Sequence, residues 1–154
     1  MTQNDMNRID ELRNDPDLST MIALGKDVYF IHWSDGSGGF YDRDKNKVSP
    51  ELTNYDFITE FTKLGELDGH SYYAFIARDY AWYYHDTICT IINDKAQRVE
   101  FKNRNIVAFS EMHKLQQQFA KLQQLSEVYK SQGSRHKASE QLVVQNWNKN
   151  RIKR

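Results

Sequence analysis

The stretch of sequence that decides the fold is HSYYAFIARDYAWYYHDTICTIIN, which covers residues 70–93. It is dominated by β-branched and aromatic residues, which favour strands. We predict two strands here, over residues 71–78 and from about residue 82 to residue 92, while a helix through residues 79–84 is the alternative. A turn is predicted at the polar triplet NDK, residues 93–95, and a third strand, antiparallel to the second, at QRVEFK, residues 97–102.

Shorter elements precede this stretch. VYFIHW and FYDRD flank the glycine-rich loop SDGSGG, so residues 28–44 predict a β-hairpin. The loop lacks the lysine and the Ser/Thr of a phosphate-binding loop. We expect a short helix over residues 4–13 and a second short turn of helix over residues 17–24. A further helix is expected from residue 49 to about residue 64, because Ser-Pro-Glu is typical of a helix start.

The last fifty residues have the period of a helix. From about residue 105, apolar residues recur at spacings of three and four, and Gly133 ends the pattern. Residues 108–129 can pair with a second copy of the chain to form a homodimer, or pack on their own sheet. Ser134 predicts the start of a last helix. The first stripe comprises Ala108, Met112, Leu115, Phe119, Leu122 and Tyr129, with Ser126 in the same row, and the last helix turns Ala138, Leu142, Val143 and Trp147 inward.

These patterns predict an α+β fold, with an antiparallel sheet of about five strands flanked by helices and with a C-terminal helical pair. The 154 residues suffice for one continuous domain. Within that domain we distinguish an acidic α+β body, residues 1–104, from a basic C-terminal helical segment, residues 105–154.

Charge is segregated along the chain. The 21 basic and 21 acidic side chains give a formal net charge of zero. Residues 1–94 hold 8 basic and 17 acidic side chains, whereas residues 95–154 hold 13 basic and 4 acidic ones. Such a split indicates that the basic part has a polyanion or an acidic protein as its partner. The alternative is that the basic helices fold back on the acidic body and neutralise it.

Basic and amide side chains near the end of the chain are the candidates for nucleic-acid binding. In VVQNWNKNRIKR, Trp147, Asn150 and Arg151 resemble the recognition helix of homeodomain proteins, in which a core Trp precedes an adenine-reading Asn and basic residues that bind the phosphate backbone. Asn148 and Ile152 depart from that pattern. The resemblance implies a helix that lies in a major groove or along phosphates. The candidate residues are Arg135, Lys137, Lys149, Asn150, Arg151, Lys153 and Arg154.

Seven aromatic rings fall within thirteen residues, from Tyr72 to Tyr84. Core packing with cross-strand pairs is one interpretation of this run. A protein-binding surface is the other, because Tyr and Trp dominate binding hot spots. Stacking of single-stranded bases fits less well, since that mode needs a cationic groove and aspartates lie close by. The candidate partner-binding residues are Tyr80, Trp82, Tyr83, Tyr84 and Asp86.

Signals for catalysis, for a metal or for a cofactor are weak. The five histidines lack the spacing of metal ligands, and no nucleophile stands out beside His32 or His85, the two candidates for an enzymatic role. Asp35 could meet His32 across the hairpin loop. Cys89 is expected to be an inert core thiol, because isoleucines lie on both sides of it. No signal peptide, membrane span or disulfide pattern is evident, so we expect a cytoplasmic protein without a cofactor.

We therefore expect a non-enzymatic binding protein that engages nucleic acid, or a nucleic-acid-handling protein complex, through its basic C-terminal helices. We expect it to be encoded by a phage or another mobile element, because its bias toward Asn, Lys, Ile and Tyr is typical of AT-rich genomes. The alternative is a protein inhibitor of a host defence nuclease, of an anti-restriction or anti-CRISPR type, that uses an acidic aromatic surface. The second alternative is a small hydrolase or transferase that uses His32 or His85.

Overall fold

Two antiparallel sheets and one α-helix form the part of the chain that the computed structural model describes, residues 8–48, 57–79, 86–102 and 112–144. The three-stranded sheet follows a 3-10 helix, Arg8–Asn14, and has the order β1-β2-β3. The five-stranded sheet has the order β4-β5-β6-β7-β8. Between β7 and β8, the chain forms helix α1 and a second 3-10 helix, Ala138–Gln141. The bounds are β1 Leu18–Ala23, β2 Val28–Trp33, β3 Gly38–Asp42, β4 Phe57–Leu67, β5 His70–Asp79, β6 Asp86–Asn93, β7 Arg98–Phe101, α1 Met112–Ser131 and β8 Leu142–Val144.

The predicted α+β fold with a five-stranded antiparallel sheet is confirmed. The two strands predicted within residues 70–93 are β5 and β6, and the third predicted strand is β7. The predicted hairpin over residues 28–44 is the pair β2 and β3. Of the predicted C-terminal helical pair, the first helix is α1. Within the described residues, the second is reduced to the 3-10 turn that precedes β8.

Three apolar clusters stack these elements into four layers. Ile9 of the first 3-10 helix packs against Ile31 on one face of the three-stranded sheet. The other face of that sheet, which carries Phe30, packs against Phe75 of the five-stranded sheet. The far face of the five-stranded sheet packs against Phe119 of α1. The order of the layers is therefore 3-10 helix, three-stranded sheet, five-stranded sheet and α1.

Phenyl rings fill the space between the two sheets. Phe61 of β4 lies nearly parallel to Phe30 of β2, with ring centroids 4.0 Å apart and an interplanar angle of 3°. Phe40 of β3 meets Phe75 of β5 at a centroid distance of 5.8 Å. Aromatic pairs of this kind contribute about 0.5–1.5 kcal/mol each beyond the burial of their area. These contacts fix the hairpin of β2 and β3 on the five-stranded sheet.

Asp68 and Gly69 form the two-residue turn that joins β4 to β5. Both have positive φ angles, +51° and +86°, as a type I′ hairpin turn requires. The turn is flanked by the register pair of Leu67 and His70. An Asp-Gly pair adopts this turn readily, because Gly has no Cβ and Asp tolerates the left-handed conformation. The turn thus sets the register of the two longest strands.

Two predicted helices are strands in the structure. The helix expected over residues 49–64 is wrong from residue 57 onward, where β4 pairs with β5, and residues 49–56 lie outside the described residues. The turn of helix expected over residues 17–24 is strand β1, which pairs with β2. In both segments the apolar spacing also fits a strand. Pairing with a neighbouring strand decides between the two conformations.

The last predicted helix is a short 3-10 helix over Ala138–Gln141, and the prediction is wrong from residue 142 to residue 144. Leu142 and Val143, which the pattern placed on a helix, lie on strand β8, opposite Phe101 and Glu100 of β7. The edge of β7 carries backbone N–H and C=O groups that need partners, and β8 supplies them. Trp147 lies outside the described residues.

Gly65, in a bulge of β4, lies beneath the side chain of Gln123 of α1. Its φ is +141°, and a Cβ there would lie 2.6 Å from Nε2 of Gln123, which donates to the carbonyl of Glu66. We expect Gly65→Ala to lower the free energy of unfolding by about 2 kcal/mol, because it adds backbone strain and displaces Gln123. The measurement is urea denaturation followed by circular dichroism.

Gly69→Ala is the matched control for this prediction. Gly69 also has a positive φ, but nothing lies within 4 Å of the Cβ that the substitution adds. Gly69→Ala should therefore lower the free energy of unfolding by about 1 kcal/mol, through backbone strain alone. An equal loss of stability in both variants would contradict the role assigned to the contact between Gly65 and α1.

Candidate nucleic-acid interface

A narrow apolar stripe holds α1 on the five-stranded sheet. Leu115 and Phe119 are buried, and the ring centroid of Phe119 lies 5.6 Å from that of Tyr72. Ser126 occupies the same buried row, as the sequence pattern predicted. The described part of the stripe over residues 108–129 is therefore covered by the chain's own sheet. It is not exposed to a second copy.

The opposite face of α1 carries cations and amides. Lys114, Gln117, Lys121 and Gln124 are exposed, and their spacing of three and four residues places them in one row along the helix. We call these four residues the α1 row. Each helical residue rises 1.5 Å, so Lys114 and Lys121 lie about 10.5 Å apart along the helix axis. The α1 row is thus a solvent-exposed strip of two lysines and two glutamines.

A partly buried contact of Asp68 fixes the rotation of α1 about its axis. Asp68 accepts hydrogen bonds from the hydroxyl of Ser126, at 3.0 Å, and from the backbone N–H of Ser139, at 2.8 Å. Partial burial on its own would raise the pKa of Asp68, but these hydrogen bonds and the charge of Lys130 hold it below the usual value of 3.8. The carboxylate thus ties the turn between β4 and β5 to both α1 and the chain that follows it.

The chain after α1 turns back toward the sheet. Gly133 has a φ of +64° and ends the helix, as predicted. Arg135 and Lys137 are exposed, and the backbone N–H of Lys137 donates to the carboxylate of Glu140 at 2.9 Å. The structure therefore places two of the predicted nucleic-acid-binding residues on the surface just beyond α1. The other candidates, Lys149, Asn150, Arg151, Lys153 and Arg154, lie outside the described residues.

A cleft with carboxylate walls lies at one end of the three-stranded sheet. It has a volume of about 360 Å³ and is lined by Asp15, Asp17, Trp33, Ser34, Asp35 and Ser37. The hydroxyl and the backbone N–H of Ser37 both donate to the carboxylate of Asp35, at 2.6 and 2.9 Å, and lower its pKa. The sequence interpretation missed this cleft, because its walls come from two loops that only the pairing of β1 with β2 brings together.

The cleft and the α1 row belong to different layers. The five-stranded sheet lies between the three-stranded sheet and α1, and stacked layers are about 10 Å apart. The separation of about 20 Å is more than twice the Debye length of about 8 Å at physiological salt. At that separation, the charges of the cleft carboxylates are largely screened from the α1 row.

The first half of the aromatic run is core. Tyr72 and Tyr73 are buried on opposite faces of β5, and the hydroxyl of Tyr73 donates to the carbonyl of Leu24 at 2.8 Å. Burial raises the pKa of both phenols. Of the predicted partner-binding residues, Asp86 begins β6 opposite Asp79. Tyr80, Trp82, Tyr83 and Tyr84 lie outside the described residues, as does His85.

Of the two histidines considered for an enzymatic role, His32 lies in the described residues. Nε2 of His32 lies 3.2 Å from the carbonyl of Gly36, while Asp35 is hydrogen-bonded to Ser37. Cys89 is half-buried, and burial raises its pKa to about 11, so the thiol is protonated at neutral pH. No cluster of metal-ligating side chains occurs in the described ranges. None of the helices in those ranges has the length and hydropathy of a membrane span.

We expect Asp68→Asn to change how stability depends on pH. Because the pKa of Asp68 is lower in the folded chain than in the unfolded one, its contribution is present above about pH 4 and is lost as pH falls through the folded value. The variant should be about 1 kcal/mol less stable at pH 7 and should lose less stability on acidification. Urea denaturation at several pH values measures both effects.

The exposed turn residue Asp44 supplies the control. Asp44→Asn removes the same charge from a site far from α1 in the fold. It should leave the acid dependence of unfolding close to that of the unsubstituted chain. If the two variants respond to acid in the same way, Asp68 is not the carboxylate that ties α1 to the sheet.

Comparison of the chain with protein-family models, with curated proteins and with solved structures gives no match. A fold by itself does not define a function, so the function has to be inferred from the chemistry of the chain's own surfaces. Two such surfaces stand out in the described residues, the α1 row and the acidic cleft.

Proposed function

We propose that this chain is a non-enzymatic binding protein that attaches to nucleic acid through the basic side chains of its C-terminal part. The observation that carries the proposal is the orientation of α1. Its apolar stripe is covered by the five-stranded sheet, and the α1 row points away from the protein. Arg135 and Lys137 follow on the exposed chain beyond the helix. A polyanion is the partner that this arrangement suits best.

Charge on the surface of α1 is favourably placed for phosphate contacts. Glu127 is the acidic residue of α1, and its Oε1 lies 3.7 Å from Nζ of Lys130, so these two charges largely offset each other. Lys114 and Lys121 carry positive charge on long side chains, and Gln117 lies between them with an amide that donates to phosphate oxygens. Each lysine that contacts a phosphate releases counterions from the nucleic acid, which favours binding at low salt.

Neutralising the lysines of the α1 row should weaken nucleic-acid binding. We expect Lys114→Gln combined with Lys121→Gln to reduce affinity for a mixed-sequence duplex at low salt. The slope of log Kobs against log salt should become shallower by about two units, because roughly one unit is lost for each phosphate contact. Fluorescence anisotropy of a labelled duplex, titrated at several salt concentrations, measures the slope.

The control variant combines Lys26→Gln with Lys47→Gln. Both lysines are exposed, and they lie on the three-stranded sheet, so the change in net charge is the same but the layer is different. Its salt slope should stay close to that of the unsubstituted chain. Equal losses of affinity in the two variants would show that net charge alone determines binding. An absence of binding by the unsubstituted chain at ~50 mM salt would overturn the proposal.

A second candidate function, that of a protein that occupies the cationic groove of a nuclease, is favoured by the acidic cleft. Three carboxylates and the half-buried indole of Trp33 line it. Carboxylates attract Lys and Arg side chains, and an indole face adds cation–π attraction. The cleft is a different surface from the one predicted at the aromatic run of residues 72–84, but both combine acidic and aromatic side chains.

Removing the charge of the cleft tests this candidate. We expect Asp15→Asn, Asp17→Asn and Asp35→Asn together to weaken binding of a labelled hexalysine peptide roughly three- to tenfold, since exposed ion pairs each contribute up to about 1 kcal/mol. Isothermal titration at low salt measures the affinity. The control replaces Glu11, Asp27 and Asp44 by their amides, and a similar loss in that variant would count against the cleft.

A further inference from the structure

We infer that the α1 row takes double-stranded nucleic acid in preference to single strands, an inference that rests on the proposed function. The surface in question is the solvent face of α1, and its partner is the regular phosphate backbone of a duplex. Three features of the described residues lead to this conclusion. They are the position of the aromatic rings of α1, the length of the helix, and the spacing of its cations.

The aromatic side chains of α1 are both turned away from the α1 row. Phe119 is 1% exposed and packs on Tyr72. Tyr129 packs on the same apolar cluster, and its ring centroid lies 5.9 Å from that of His136. Proteins that hold single strands stack the bases on exposed rings, and this stacking supplies much of their affinity. The α1 row offers amides and ammonium groups in place of such rings.

The dimensions of α1 suit a duplex. The helix has 20 residues and is therefore about 30 Å long, which matches about nine base pairs at 3.4 Å each. A duplex presents one charge per ~1.7 Å of its axis, about twice the density of a single strand. Two lysines about 10.5 Å apart on a rigid helix gain more from a dense and regular array of phosphates than from a flexible strand that must be ordered on binding.

The row is suited to backbone contacts on the outside of the duplex. α1 lies flat on the sheet through its buried stripe, so the face that carries Lys114, Gln117, Lys121 and Gln124 is presented to a partner. Long, flexible Lys and Gln side chains reach phosphates without a fixed register. Binding through this face should therefore depend weakly on base sequence and strongly on whether the nucleic acid is paired.

One set of titrations tests the inference. The full chain is titrated, in anisotropy at about 100 mM salt, against a ~20-base-pair labelled duplex and against each of its two separated strands. We expect the duplex to bind roughly tenfold more tightly than either strand. Lys114→Gln combined with Lys121→Gln should remove most of that difference, and the control Lys26→Gln combined with Lys47→Gln should preserve it.

A gain-of-function variant tests the physical reason. Gln117→Trp places an exposed ring in the middle of the α1 row, and it should raise affinity for the single strands by roughly fivefold or more, while the loss of the Gln117 amide lowers duplex affinity slightly. Because Gln117 is exposed, the substitution does not disturb the buried stripe.

The outcomes separate the inference from the function on which it rests. Single strands that bind as tightly as the duplex, with the same dependence on Lys114 and Lys121, would overturn the duplex preference and leave nucleic-acid binding intact. Duplex binding that is unchanged in the lysine variant would also overturn the inference, because it would assign the contact to another surface. A chain that binds neither form, even at ~50 mM salt, overturns the proposed function itself.

Discussion

Burial of β5 on both faces is the constraint on which the rest of the structure depends. Tyr72 and Ala74 turn toward α1, while Tyr73, Phe75 and Ala77 turn toward the three-stranded sheet, and none of the five is more than 7% exposed. A strand buried in this way cannot satisfy its backbone through water, so both of its edges must be paired. β4 and β6 supply that pairing along nearly its whole length.

The two cores on either side of β5 determine which surfaces remain for partners. One core takes up the apolar side chains of the three-stranded sheet, and that sheet presents its far face to the 3-10 helix and its end to the acidic cleft. The other core takes up the apolar stripe of α1 and turns the α1 row outward. The α1 row and the carboxylates of the cleft are thereby presented on different layers. A formal net charge of zero is compatible with two partners of opposite charge.

Much of the fold could be predicted because its signals are local. β5, β6 and β7 have β-branched and aromatic sequences separated by turn residues, and α1 has a sustained helical period. β4 and β8 could not be assigned in this way. The apolar residues of β4, Phe57, Ile58 and Phe61, fit the spacing of a helix as well as that of a strand. The apolar pair in β8, Leu142 and Val143, also fits both. Their conformation is decided by the open edges of β5 and β7, to which they supply backbone partners.

The sequence by itself determined the α+β class, the central strands, the apolar stripe of α1 and the segregation of charge along the chain, because each depends on residues that are close in sequence. Only the tertiary structure decided that the stripe faces the chain's own sheet and that Lys114 and Lys121 face solvent. It also decided that Asp15 and Asp35 share a cleft. These arrangements depend on contacts between distant segments, such as that of Asp68 with Ser126 and Ser139. No local pattern specifies such contacts, because each is set by the packing of whole layers.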